Sequence, residues 1–231
     1  MIGSRESSPE PRRRRFRIGC LPIVLVVVAA IVLAIVYVLY PRTMPQTQPI
    51  PAAQLLEQIE RLRPVSDFDG IPDLQERSIA LFREAGRVLE SPRCMNCHPR
   101  TDRPTQTDAM RPHTPWVSRG PDGAGEAAMR CSTCHREENY AASGVPGNPK
   151  WKLAPIEMAW QGKTLGEICR QILDPARSHM NREELFRHMV EDELVAWAWT
   201  PGGQRTPAPG TQAEFGAIIK AWLDTGGECP R

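Results

Sequence analysis

Residues 94–98 read Cys-Met-Asn-Cys-His, and residues 131–135 read Cys-Ser-Thr-Cys-His. This doubled C-x-x-C-H string constrains the fold more than any other feature, because it sets what the rest of the chain must fold around. Cysteines at this spacing can bind zinc, cycle as a redox disulfide, or attach a c-type haem through thioether bonds, and the trailing histidine favours haem. Zinc pairs usually recur after about 15–20 residues, whereas 33 residues lie between Cys97 and Cys131. A dithiol redox pair needs no histidine behind it. The motifs therefore imply two covalently attached haems, on Cys94 and Cys97 and on Cys131 and Cys134. The two sulfurs fix one edge of each porphyrin, and the next histidine, His98 or His135, folds under the ring as an axial iron ligand.

The N-terminus bears on where such a chain works. Residues 1–17 are polar and basic, with six arginines against two glutamates. Ile18 to Tyr40 then runs 23 positions without a charge. At about 1.5 Å per residue, a helix of this length covers the roughly 30 Å hydrocarbon core of a bilayer. A cleaved signal peptide has a shorter apolar stretch, about 7–15 residues, and a small-residue cleavage site. Neither fits Tyr37-Val-Leu-Tyr40-Pro41-Arg42. The expectation is an uncleaved signal anchor, single-pass in the inner membrane. The arginines would stay cytoplasmic, Tyr37 and Tyr40 would sit at the interface, and everything after Tyr40 would be periplasmic. Cys20 precedes the apolar run rather than following it, so it is not read as a lipoprotein cysteine.

Charge is informative only once this tail is set aside. The whole chain holds 29 Lys+Arg and 27 Asp+Glu; without residues 1–17 it holds 23 and 25. The exported part is slightly acidic, so the basic balance belongs to the anchor and does not point to nucleic acid. Residues 41–51 (PRTMPQTQPIP) read as an extended spacer. Apolar residues at helical spacing predict helices over 52–63, 73–90, 164–173, 181–199 and 211–224, with Gly226-Gly227 stopping the last. No alternating β-branched run is long enough to propose a sheet. The fold class is mainly α: an N-terminal transmembrane helix followed by a loop-rich, helical c-type cytochrome domain with two haems. The expected divisions are a cytoplasmic tail at 1–17, an anchor at 18–40, a spacer with a short helix at 41–72, and a dihaem domain at 73–231.

Cys169 and Cys229 remain after the motifs and Cys20 are assigned, and in an oxidising compartment they are expected to pair. Each iron also needs a sixth ligand. His113, in the Pro-flanked loop Arg-Pro-His-Thr-Pro-Trp, and His188, on an apolar helix face with Leu185 and Met189, are the chosen candidates. Met158 is the main rival because methionine is the other usual ligand; its plain role would be packing beside Trp160. Met129 is too close to Cys131 in sequence, and His179 reads as a surface residue.

The strings CMNCHPRTDRPTQTD, RGPDGAGEAAMRCSTCH, GVPGNPKWKLAPIEMAWQGKTLGEIC and RTPAPGTQAEFGAIIKAWLDTGGECP together resemble dihaem cytochrome c proteins of the isoquinoline 1-oxidoreductase subunit family. The resemblance spans about 81–230 and leaves out the anchor and spacer. It implies an electron-transfer subunit serving a periplasmic molybdenum hydroxylase-type dehydrogenase of the aldehyde or isoquinoline oxidoreductase kind. It also implies haem attachment at the four motif cysteines and ligation by His98 and His135. It does not fix the substrate.

The chain itself shows little machinery for substrate chemistry, and a haem protein tunes potential through ligands, burial and hydrogen bonds. The leading expectation is a membrane-tethered carrier passing electrons from a partner dehydrogenase to another cytochrome or an oxidase, with no enzyme activity of its own. The alternatives are a dihaem peroxidase, with an open iron face and a nearby acid/base among Glu157, Glu183, Glu184, Glu191 and Asp192, and a haem sensor. The short tail carries no output domain for a sensor.

Overall fold

The computed structural model describes residues 21–39 and 60–231, with side chains in the first stretch described only for 27–36. The chain divides into two compact units, 1–49 and 50–231. The expected helix over 52–63 lies mostly outside the described residues.

In the first unit, helix α1 spans Leu21–Leu39. Its described apolar side chains, Val27, Val28, Ile31, Val32, Leu33, Ile35 and Val36, are all exposed. Among the described residues, no helix is long and apolar enough to cross a membrane. The expected span, 18–40, extends past them at both ends.

The second unit is mainly helical. Helix α2, Leu74–Leu89, begins where Asp73 accepts a hydrogen bond from the Glu76 amide at 2.8 Å. This occupies one of the amides that a helix start leaves without a partner. Helix α3, Pro92–Met95, follows directly and leads into the first motif. Helix α4 (Leu165–Leu173) and the last helix, α8 (Gln212–Asp224), each open on a capping box, Thr164 with Glu167 and Thr211 with Glu214. Between them lie α5 (Pro175–Ser178), α6 (Arg182–Glu191) and α7 (Glu193–Ala196).

The core forms where α2 and α6 pack on α8. Leu81, Phe82, Ala85, Val88, Phe215, Ile218, Ile219 and Trp222 are buried there, and the Phe82 and Trp222 rings lie 4.6 Å apart. At Gly86, α4 comes so close that an added Cβ would lie 2.6 Å from a Leu165 methyl. Leu62 and Phe68 join the same core from ahead of residue 73. The tail folds back over α2 and α4. The Cys169–Cys229 disulfide spans a Cα–Cα distance of 5.6 Å, Ser78 Oγ accepts from the Glu228 amide, and Trp222 Nε1 donates to the Glu228 carbonyl. The pairing expected from the cysteine count is present.

Two expectations need correction. The helix expected over 181–199 is broken at Asp192, which takes an extended backbone and accepts from the Leu194 amide to start α7. A 3-10 turn, Trp197–Trp199, follows. Two short antiparallel ladders are also present, Thr105–Gln106 (β1) with Arg111–Pro112 (β2), and Gly125–Glu126 (β3) with Met129–Arg130 (β4). Each closes a tight loop of the segment between the motifs, too short for an alternating pattern to show.

Candidate haem-attachment site

Each C-x-x-C-H string folds as one tight turn. The His98 amide donates to the Cys94 carbonyl at 3.1 Å, and the His135 amide to the Cys131 carbonyl at 2.9 Å. The first turn grows out of α3; the second is a 3-10 turn, Cys131–Thr133, entered from β4. All four motif cysteines are unpaired, while Cys169 and Cys229 are oxidised.

The two imidazoles share a second feature. His98 Nδ1 lies 2.7 Å from the Met158 carbonyl oxygen, and His135 Nδ1 lies 2.7 Å from that of Pro146. A carbonyl can only accept, so each Nδ1 carries the hydrogen. In a neutral ring that leaves Nε2 with its lone pair free. Metal-binding histidines use this arrangement: the second nitrogen is tied down, which fixes tautomer and ring orientation. Burial pushes the His98 imidazole down to about 3; the bond to Met158 opposes that fall, while His188 and Arg119 add to it. Burial likewise lowers His135. Both rings are therefore neutral near pH 7.

A tryptophan lies flat against each ring. His98 stacks on Trp160 at 3.5 Å and 7°, and His135 on Trp151 at 4.5 Å and 10°. Trp197 meets Trp151 edge-on at 4.9 Å, and the Arg93 guanidinium, next to Cys94, lies 5.9 Å from the Trp197 ring. These contacts join the surroundings of the two motifs. Sequence reasoning took Trp160 only as packing and did not single out Trp151, in a loop-rich stretch, or Trp197, inside the helix expected over 181–199.

Arg119 ties the intervening segment together. It is buried and donates to the carbonyls of Pro99, Thr101 and Ala154. Its own carbonyl accepts from the Gly125 amide, beside the Ala124 carbonyl that accepts from Cys131. Backbone bonds from Ala154 to Cys97 and from Trp160 to His98, at 3.0 and 2.9 Å, complete the frame around the first motif.

His113 lies beside the second motif, and His188 beside Asp192. The His113 and His135 ring centres lie 6.1 Å apart, and His113 Nδ1 lies 3.0 Å from the Pro115 carbonyl. The Arg103 side chain donates to the His113 carbonyl at 2.6 and 3.1 Å and steadies the loop. His188 Nδ1 lies 3.2 Å from Asp192 Oδ2, and this bond, ahead of the other causes, draws Asp192 down to about 2. His188 acts electrostatically on His98, whereas His113 acts on His135. Met158 is buried with its carbonyl on the Nδ1 side of His98. Its carbonyl is thus taken up on the Nδ1 side of the ring, away from Nε2. Met189 is buried in the core, Met129 is exposed on β4, and His179 is exposed at a left-handed turn.

A c-type haem fits these residues. Among the described residues, no group of three or more His, Cys, Asp or Glu side chains could hold a bare metal ion. Haem iron needs only axial ligands from protein. Burial pushes the Cys94 thiol up to about 12 and Cys97 to about 11, with Cys131 also raised. Such thiols stay protonated, unlike the low-pKa thiolates of exchange catalysts. Near the first motif, Arg93 Nε and Trp160 Nε1 are buried donors without an acceptor among the described residues. The carboxylates of a haem are groups of the kind such donors require. A cavity of about 800 Å³ is lined by Met95, Arg103, Met110, Trp116 and Gln161 among others. It borders the first motif through Met95, while neither His98 nor His135 lines it.

Comparison with protein-family models, curated proteins and solved structures finds no match to this chain.

Proposed function

We propose that this chain is an electron-transfer protein carrying two covalently attached c-type haems, tethered to the inner membrane by its N-terminal helix with the haem unit in the periplasm. One observation carries the reading. Two C-x-x-C-H turns, one grown from a helix and one entered from a strand, each keep both thiols unpaired and each tie histidine Nδ1 to a carbonyl at 2.7 Å, leaving Nε2 free. When bound, the haems supply one-electron chemistry. The chain attaches them through Cys94, Cys97, Cys131 and Cys134, and orients His98 and His135 through the two carbonyls and two tryptophans. His113 and His188 would supply the remaining iron ligands.

The Cys169–Cys229 disulfide supports an oxidising compartment. The uncharged run over 18–40 supports the tether. The resemblance to the isoquinoline 1-oxidoreductase subunit family supports a molybdenum hydroxylase-type dehydrogenase as electron donor and another cytochrome or an oxidase as acceptor. A peroxidase would need an iron face without a protein ligand, and His113 and His188 leave no such face in this assignment. The test is pyridine haemochrome analysis of the chain exported with cytochrome-maturation machinery. Two haems per chain are expected, falling to one in Cys94→Ala/Cys97→Ala and in Cys131→Ala/Cys134→Ala. Two full haems in either variant would refute the scheme.

A further inference from the structure

The four imidazoles of the proposed site differ in one respect. His98, His113 and His135 each direct Nδ1 at a backbone carbonyl, of Met158, Pro115 and Pro146. His188 alone directs Nδ1 at a carboxylate, Asp192 Oδ2, at 3.2 Å. The other oxygen of that carboxylate, Oδ1, accepts from the Leu194 amide at 2.8 Å, which holds the side chain at the break between α6 and α7. The break that the helical periodicity failed to show leaves Asp192 bonded both to His188, four residues back, and to the start of α7.

We infer that Asp192 is a positioning residue that sets the two haem potentials apart, by making His188 the most electron-rich of the four ligands. The inference rests on the dihaem reading and on His188 as the sixth ligand opposite His98. A carboxylate pulls on the Nδ1 hydrogen more strongly than a carbonyl does, and so raises the basicity of Nε2. A more basic axial ligand favours the ferric over the ferrous state and lowers the potential. No such carboxylate stands behind His113, whose Nδ1 faces the neutral Pro115 carbonyl. The haem held by His98 and His188 is thus the lower-potential of the two.

The test is a mediated spectroscopic redox titration of the full haem-loaded chain and its Asp192→Asn and Asp192→Glu variants. Asparagine is also a good helix N-cap, so Asp192→Asn keeps the start of α7 and removes only the charge. The expected result is that Asp192→Asn raises one midpoint potential, narrowing the gap, and leaves the other in place with both haems low-spin. Asp192→Glu should stay near the parent values. If both midpoints are unmoved in Asp192→Asn, or both move equally, the inference is overturned. His188→Ala separates this from failure of the ligand reading: one haem turning high-spin upholds His188 as ligand whatever Asp192→Asn does. Two low-spin haems in His188→Ala would remove the ligand assignment and the inference with it.

Discussion

The ring centres of His113 and His135 lie 6.1 Å apart, with the planes tilted by 59°, from two loops more than twenty residues apart in sequence. An imidazole centre lies about 1.1 Å behind its coordinating nitrogen, and a metal–nitrogen bond is about 2.0–2.1 Å. Two imidazoles on opposite sides of one metal ion therefore have centres roughly 6 Å apart by the same bond lengths. The observed spacing matches that value.

His113→Ala should accordingly open one face of the iron held by His135. The expected outcome in absorption and electron paramagnetic resonance spectra is one haem shifting from low to high spin, or binding added imidazole, while the other is unchanged. His179→Ala, at an exposed turn, should leave both spectra as they are. Two unaltered low-spin haems in His113→Ala would show that the sixth ligand lies elsewhere.

Trp160 is buried and stacked 3.5 Å from His98. Trp160→Ala should cost about 3–5 kcal/mol, the usual range for truncating a buried aromatic. Denaturant unfolding followed by circular dichroism checks the magnitude. The same variant should broaden the low-spin resonance of one haem, because it removes the ring stacked on His98. A loss below about 1 kcal/mol would mean that the stack contributes little beyond contact.

The sequence revealed the bounds of α2, α4 and α8 to within a residue, and the start of α6 but not its end. Asp73, Thr164 with Glu167, and Thr211 with Glu214 mark starts that the structure confirms, because a cap and its amide are only two or three residues apart. The break at Asp192 was hidden because an aspartate inside an amphipathic run looks like any exposed helical residue. What stops the helix is its side chain serving the Leu194 amide and His188 together. The site was legible to the same depth. The motif cysteines and histidines could be read locally, but the Met158 carbonyl lies 60 residues from His98, and no local pattern pairs them. The roles of Arg119 and Trp151 were illegible for the same reason, since their contacts join loops whose course the sequence does not give.

The disulfide joins residues 60 apart in sequence. Closing a loop of that length removes about 4 kcal/mol of unfolded-state entropy by the loop model, and native disulfides commonly contribute about 2–4 kcal/mol. Cys169→Ala/Cys229→Ala should lower the denaturation midpoint by a corresponding amount without changing haem content. Haem loss at unchanged stability would instead implicate these cysteines in attachment.

Arg119 satisfies three carbonyls from a buried position. Arg119→Ala leaves them without their donor, and at about 1–3 kcal/mol for each buried group left unsatisfied, the loss should exceed 2 kcal/mol. Because the segment is tied to both motifs, haem incorporation should fall at both. Arg119→Lys, with one compact ammonium in place of the planar fork, should recover only part of the loss. Full stability and full haem content in Arg119→Ala would show that the frame does not depend on this side chain.

The central claim is that Cys94, Cys97, Cys131 and Cys134 carry two haems covalently. Intact-mass spectrometry of the exported chain after acid–acetone extraction tests it most directly, because extraction strips non-covalent haem and leaves thioether-bound haem in place. The account predicts the mass of the chain plus two haems, and the chain plus one in Cys94→Ala/Cys97→Ala. The bare chain mass after extraction, with the four motif cysteines open to alkylation, would contradict it.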